Sequence, residues 1–375
     1  MGFPRDRALI HEAVQEDTAF AQADPDLVAE HLAKLVTSDC DAFLLAAMAL
    51  FALPGNGHTR LIPNSAVKVF PIRLIWAGSG LWAVDETPRQ VAYVNDMPVE
   101  EIYEGLEPFL AGTAQRRRVV GGLPMAWPAA LRKAGVPNAQ NCRYRFADGA
   151  VKAFEASSLR PAPNHYPHFE TGFPTPSLDP FSANDRPSTL RLATFTTGEG
   201  DDIDTRVRTA LTTIEALRPG PVVIDLRGNP GGDFLRHLPI LEALKPVATR
   251  HNIGVLVDRF TFSAAIVFAA LCKRHLGASI LGETMGDAAR FHAEGGTLDL
   301  PDSGAKVRWS DGYHDWQTGI PQSSTPPGIA AEMIGCGSLE PVLHIVSTPG
   351  DVPQGHDPAW ETAMDYLKGN PTCAP

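Results

Sequence analysis

The 375-residue chain lacks most of the signatures that announce a function directly. Its five cysteines, Cys40, Cys142, Cys272, Cys336 and Cys373, stand singly. Without a Cys-x-x-Cys pair there is no case for a zinc ribbon or a redox dithiol, and the odd count leaves at least one thiol outside any internal disulfide. The most apolar run, FLLAAMALFAL from Phe43 to Leu53, is too short against the ~20 residues that a membrane-spanning helix needs. Basic residues are outnumbered: 32 Lys and Arg against 43 Asp and Glu give a net charge of −11. No basic surface dominates, which argues against a nucleic-acid partner. The single basic run, Arg116 to Arg118, reads as a solvated face.

Short motifs are missing as well. No Gly-x-x-x-x-Gly-Lys-Ser/Thr cradle occurs, and no Gly-x-Gly-x-x-Gly follows a strand, so neither common nucleotide-binding turn is present. A Gly-x-Ser-x-Gly elbow is absent, against an ordinary lipase or esterase. His11 opens HEAVQ without the second histidine of a zinc-protease helix. His165 and His168 lie in a proline-rich stretch with no further ligands, so neither metal nor cofactor is expected. No charged-then-apolar signal segment opens the chain, and no repeat of fixed period runs through it.

What remains is an ordinary globular composition, 44% hydrophobic and 20% charged, long enough for two or three domains. Residues 1–62 read as a helical N-terminal part. DPDLVAEHLAKLV places Leu27, Val28, His31, Leu32 and Leu35 on one helical face, with Asp24 or Asp26 as cap. SDCDAFLLAAMALFAL follows as another helix, closed by Pro54-Gly55. Residues 63–156 form a β-rich segment of short strands ending in a helix near VEEIYEGL. Residues 157–188 carry many prolines and read as a linker. From 189 to 375 continuous apolar strands alternate with helices, the pattern of a parallel sheet covered on both faces.

Two strand–helix junctions in this last part carry the chemistry. In VVIDLRGNPGGDFL an apolar strand runs into Gly228, Gly231 and Gly232. Such a turn exposes backbone N–H groups, and a following helix adds its positive end, so it could hold an oxyanion or a phosphate. It could equally be a tight turn needing positive φ. In IGVLVDRFTFSAAIVFAALC a strand ends near Asp258 and Ser263 begins an apolar helix. Its hydroxyl could cap that helix. It could instead be a nucleophile, with the helix dipole and the Ala264 N–H stabilising charge beside it. Asp225 and Arg227 read as an ion pair that stiffens the turn, and Cys272 as a small buried hydrophobe.

In this order the motifs resemble the C-terminal processing and tricorn-type serine peptidase family. The resemblance rests on VVIDLRGNPGG, on the strand–Ser–Ala–Ala helix one βαβ unit later, and on ILGETMGD. Upstream, ALPGNGHTRLIP is similar to the family's Gly-His-Thr segment and VAYVNDMPVEEI to its Asn-Gly-x-Pro-Val turn. LEPVLHIVST and GHDPAWETAMDYL resemble its closing strand and last helix. The resemblance implies a crotonase-like layered α/β core with a PDZ-like or PDZ-remnant β segment. It also implies a Ser263 nucleophile with an oxyanion hole from Ala264 and the Gly231/Gly232 turn. Asp287 stands where the processing branch has a lysine base, so His58 of GNGHT takes that role, as in the tricorn-like branch. An orienting carboxylate would come from Glu332 or Glu340. The implied partner is a peptide or protein substrate, in the periplasm or outside the cell. Oligomeric state stays open, as do two rival readings: a crotonase-type acyl-CoA enzyme, and an inactive peptide-binding protein on the same scaffold.

Overall fold

The computed structural model describes residues 2–63, 66–85, 87–162, 188–196, 203–217, 220–351 and 357–369. Most of the proline-rich stretch, with His165 and His168, lies outside them, as does Cys373. The fold is mixed α/β and divides into two compact units. One comprises Met1–Phe169, Phe291–Tyr313 and Gln322–Pro326; the other comprises Glu170–Arg290, His314–Pro321 and Pro327–Pro375. No helix among the described residues is long and apolar enough to cross a membrane.

The first unit opens with three helices, α1 (Pro4–Glu16), α2 (Pro25–Ala33) and α3 (Cys40–Ala52). Side-chain caps start the last two: Asp24 accepts from the Asp26 N–H, and Asp39 from the Ala42 N–H. The apolar face read across α2 is only partly real. The helix stops at Ala33 with no buried residue, Leu27 is 44% exposed, and Leu35 is buried beyond its end. By contrast α3 buries Phe43, Leu44, Leu45, Ala47, Met48, Leu50 and Phe51, which makes it the hub of this core.

Strand β1 (Arg60–Ile62) leaves that helical part, and β2 (Lys68–Val69), β3 (Leu74–Ala77), β4 (Gly80–Ala83), β5 (Arg89–Val94) and β6 (Met97–Pro98) follow. Asn95 and Asp96, at φ 47° and 66°, make the two-residue turn between β5 and β6. Both residues tolerate the left-handed region that such hairpin turns demand. Three helices then interrupt the strands: α4 (Val99–Leu106), α5 (Ala114–Val120) and α6 (Pro128–Lys133). Strands β7 (Cys142–Phe146) and β8 (Val151–Phe154) complete a six-stranded sheet of order β3-β4-β5-β7-β8, with β6 on β5. The reading of Arg116 to Arg118 as a solvated face fails in this region. Arg116 is 3% exposed, and Arg118 lies over Trp76 and Tyr103, 4.4 and 3.8 Å from the ring centres, with Glu100 at 2.8 Å. Aromatic faces draw a guanidinium out of water in a way that a run of charges does not reveal.

The second unit holds the predicted alternation. Its strands are β10 (Thr189–Arg191), which follows the short β9 (Arg160–Pro161) of the first unit, then β11 (Val222–Asp225), β12 (Ile253–Val257) and β13 (Ser279–Gly282). Between them come α7 (Ile203–Glu215), α8 (Leu238–Ala248) and α9 (Ala264–Leu276). The chain passes through the other unit at β14 (Arg290–Ala293), β15 (Gly296–Asp299), β16 (Lys306–Trp309) and β17 (Gly312–Asp315). It then closes with α10 (Pro327–Glu332), β18 (Leu343–His344) and α11 (Pro358–Leu367). The sheet is parallel throughout, in the order β10-β11-β12-β13-β18. Val223, Leu256 and Leu281 pack on one face against Ala359, Ala363, Met364 and Leu367 of α11. The alternate residues Ile224, Val255 and Ile280 point to the other face and are buried too. That is why these strands read as unbroken apolar runs.

Candidate active site

Ligand sites in open parallel sheets gather at the carboxyl ends of the strands. Here β11 delivers the glycine turn to that end and β12 delivers the bend before Ser263. Gly228, Gly231 and Gly232 all have positive φ, at 70°, 97° and 129°. Space is as short as conformation is unusual. A Cβ on Gly231 would sit 2.6 Å from the Ser263 Cβ and 2.9 Å from the Ala264 N. A Cβ on Gly232 would sit 2.0 Å from the Phe195 carbonyl carbon and oxygen. The bare backbone therefore touches two things: the start of α9 on one side and the segment after β10 on the other.

The hydrogen bonds separate the two glycines. Gly231 donates its N–H to Asn229 Oδ1 at 2.9 Å. Phe195 donates to the Gly231 carbonyl and accepts from the Asp233 N–H, both at 2.9 Å, so Gly232 is bridged in parallel fashion. In such a bridge the N–H of the middle residue points away from its partner strand. Gly232 is exposed, and by this bridge geometry its amide points away from the Phe195 segment.

Ser263 stands half-buried at the N-cap of α9, with φ 56° and ψ −126°. Its hydroxyl makes no capping hydrogen bond, so the ordinary role for a serine at this position is not the one observed. Only its carbonyl serves the helix, accepting from Ile266 and Val267 at 2.9 and 3.2 Å. A non-glycine residue in this region costs about 1–3 kcal/mol, and such strain persists only where the surroundings impose it. Ala264 opens the helix, and a first-turn N–H has no carbonyl one turn back to bond. The positive end of the α9 dipole thus falls beside the Ser263 hydroxyl.

Below the turn lies a buried charge cluster. Asp225 is 1% exposed and takes Arg191 on one oxygen and Arg227 on both, at 2.8 to 3.0 Å. Arg227 also grips Asp357, the cap of α11, with both terminal nitrogens at 2.8 and 2.7 Å. Burial alone would raise the Asp225 carboxyl, but the two guanidinium groups hold it well below the usual carboxylate range. The expected Asp225–Arg227 pair is present and larger than expected, because Arg191 and Asp357 join from elements distant in sequence. Cys272 is fully buried, and burial pushes its thiol up, as expected of an inert core cysteine.

The other sequence candidates are placed as follows. Glu340 accepts from the Thr284 hydroxyl at 2.8 Å in the segment entering β18, and Glu332 closes α10. Asp287 is 7% exposed and accepts from the Ala288 N–H at 2.9 Å. His58 belongs to the first unit, 2% exposed, with its ring stacked 5.2 Å from Phe291. The loop around it is tightly held. Thr59 donates to Asp17 at 2.6 Å, while the Asn56 amide donates to Thr59 and Ser310 and accepts from the His292 N–H. Burial raises the Asp17 carboxyl against these bonds.

Sequence reasoning passed over several residues that shape the second unit's site: Asn229, Asp258, Thr261 and His237. An Asp at a strand end with Thr three residues on is a recognised turn-forming pattern, and it was the available signal for Asp258 and Thr261. His237 carried none. Its ring lies tilted at 40° against Phe195, centres 4.2 Å apart, and bonds the Asp233 carbonyl through Nδ1 at 2.7 Å; burial lowers its pKa.

No protein-family model matches the chain, and no curated protein matches its sequence. Solved structures do match. Mature CPAF complexed with lactacystin superposes with a TM-score of 0.56 at 12% identity, over 97% of each chain. A CPAF mutant gives 0.59 at 12% identity, over 97% of this chain and 96% of that one. The chain shares the CPAF fold. The photosystem II D1 C-terminal processing protease also matches, at 14% identity over 97% of this chain and 98% of that one, with a TM-score of 0.38. CPAF and the D1 processing protease are tail-specific or tricorn-type peptidases. The likeness read from the motifs is matched by a fold shared with CPAF.

Proposed function

We propose that this chain is a serine-type peptidase acting on peptides or proteins, with Ser263 as nucleophile. One observation carries the reading: Ser263 is held at φ 56° at the start of a helix, its hydroxyl makes no capping bond, and the glycine turn lies against it. A serine strained into that position and not used as a cap is available for chemistry. The Ala264 N–H and the outward amide of Gly232 form the oxyanion hole. Gly231, whose own N–H is engaged by Asn229, allows the close approach. The parallel sheet and its helices constitute the crotonase-like layered core, residues 189–375, and 63–156 is the PDZ-like or PDZ-remnant segment that follows the helical part, 1–62.

His58 is the base in this reading, on the likeness of GNGHT to the tricorn-like branch, and Glu340 or Glu332 is its carboxylate. A serine hydroxyl near neutral pH needs such a base. No lysine follows Gly282 before Lys306, so a Ser–Lys dyad has no candidate in this segment.

Intact mass after treatment with a fluorophosphonate probe is the test. One adduct is expected, on the peptide carrying Ser263, absent in Ser263→Ala, and formed much more slowly in His58→Ala. Folded protein with no adduct would remove the nucleophile assignment and leave the peptide-binding reading. Retention on a CoA column in that case would favour the acyl-CoA reading, since the same donors could hold a thioester enolate.

A further inference from the structure

The two donors sit on different strand ends, β11 and β12, and nothing in a parallel sheet fixes the loops beyond those ends. One carboxylate does. Asp258 follows β12 directly, and its Oδ1 accepts four hydrogen bonds. Two come from the backbone of its own bend, Phe260 at 3.0 Å and Thr261 at 2.9 Å. A third comes from the Thr261 hydroxyl at 3.1 Å. The fourth crosses to the other strand end: the Gly228 N–H, 30 residues earlier, at 2.9 Å. The Thr261 hydroxyl accepts from the Asp258 N–H and lies 3.0 Å from the Leu226 carbonyl, and the Phe262 N–H donates to the Asn229 carbonyl at 3.0 Å. Three of these contacts, Gly228 to Asp258, Thr261 to Leu226 and Phe262 to Asn229, join the glycine turn to the bend that carries Ser263.

We propose that Asp258 is a positioning residue that, through Oδ1, locks the glycine turn to the Ser263 bend and so fixes the separation of the Gly232 and Ala264 amides. The catalytic part of this inference rests on the peptidase reading above; the tie itself does not. Strain at Ser263 follows from it. A residue at φ 56° relaxes unless both flanks are held, and Asp258 with Thr261 holds the upstream flank while α9 holds the downstream one. All four bonds end on one oxygen, so an asparagine can keep them, whereas alanine removes the Oδ1 acceptor from the Gly228 and Phe260 amides and leaves Thr261 only the Asp258 and Leu226 carbonyls.

Three full-length variants test it: Asp258→Ala, Asp258→Asn and Thr261→Val. Two readings are taken on each, amide hydrogen exchange at Gly228, Phe260 and Thr261, and kcat and KM on a peptide that the parent cleaves. Asp258→Ala is expected to speed exchange at Gly228 and Phe260, with Thr261 still held by the Asp258 carbonyl, and to lower kcat by about 10²-fold with KM little changed, the size of effect seen when one oxyanion donor is lost. Asp258→Asn is expected to keep slow exchange and most of the turnover. Thr261→Val, which leaves the carboxylate in place, is expected to lower kcat about tenfold, and it serves if Asp258→Ala does not fold. Parent-like exchange in folded Asp258→Ala, or in Thr261→Val if the alanine variant does not fold, overturns the tie. Faster exchange with parent turnover overturns the positioning role. An asparagine variant as damaged as the alanine one also overturns it, because the charge would then matter rather than Oδ1. A parent that no fluorophosphonate labels defeats the peptidase reading, and the exchange arm still decides the tie.

Discussion

Gly231 shows how much a single missing side chain can do. Its φ of 97° suits glycine alone, but the tighter constraint is contact: a methyl there would meet the Ser263 Cβ at 2.6 Å. Gly231→Ala is therefore expected to push the start of α9 away from the turn. Turnover should fall by about 10²–10³-fold with substrate affinity largely kept, the loss associated with one oxyanion donor. Circular dichroism alongside kcat and KM distinguishes this from unfolding, and a folded alanine variant with parent turnover would show that the contact is idle. Gly232→Ala should behave differently. Its methyl would fall 2.0 Å from the Phe195 backbone, so the bridge to that segment must break and the melting temperature should drop.

Among the elements, α11 is tied to the active-site turn by charge as well as by packing. Arg227 holds Asp225 in β11 and Asp357 at the cap of α11 at once, with 12% and 13% of the Arg227 and Asp357 side chains exposed. Without Asp357, Arg227 keeps Asp225 but shares that one carboxylate with Arg191, so the loss should stay below the ~3–5 kcal/mol of a fully unmatched buried charge. Losing the cap to the Trp360 N–H adds about 1 kcal/mol. Asp357→Ala is thus expected to lower unfolding free energy by several kcal/mol in urea titration, and Asp357→Asn, which keeps a cap acceptor, by less. A parent-like midpoint for the alanine variant would mean that the pair contributes little. Helices α5 and α6 teach a different lesson at this scale. At seven and six residues they are too short for a 3.6-residue period to register, and they went unread within the β-rich segment.

For the whole molecule, buried carboxyls pull the pH dependence of stability in two directions. Asp225 is held low by its arginines, so its contribution is present above the ~3.9 of an unfolded aspartate and is lost as pH falls through its lower folded value. Asp17, Asp41, Asp258 and Glu283 are raised by burial. Their contribution is present below about pH 4 and is lost as pH rises through each folded value. Asp17→Asn removes one such group. The stability of that variant relative to the parent should therefore grow as pH rises from 4 to 7, whatever its offset at pH 4. Melting temperatures across that range provide the check, and a flat difference would contradict the burial assignment for Asp17.

The sequence by itself determined the alternating strands and helices of the second unit. Parallel strands buried on both faces must be continuously apolar, and the helices between them must be amphipathic or apolar. It also determined the glycine turn and the place of Ser263 at a helix start, because backbone conformation at such points restricts residue choice locally. Tertiary structure alone decided the rest. Whether Ser263 caps its helix or withholds its hydroxyl, and which of Gly231 and Gly232 has an outward amide, depends on hydrogen bonds from Asn229 and Phe195. That Arg116 is buried, and that Asp225 has two arginines and a link to Asp357, depends on elements far apart in the chain. Local sequence sets what a backbone segment can adopt; the partners of a buried polar group are chosen by whichever distant segment folds against it.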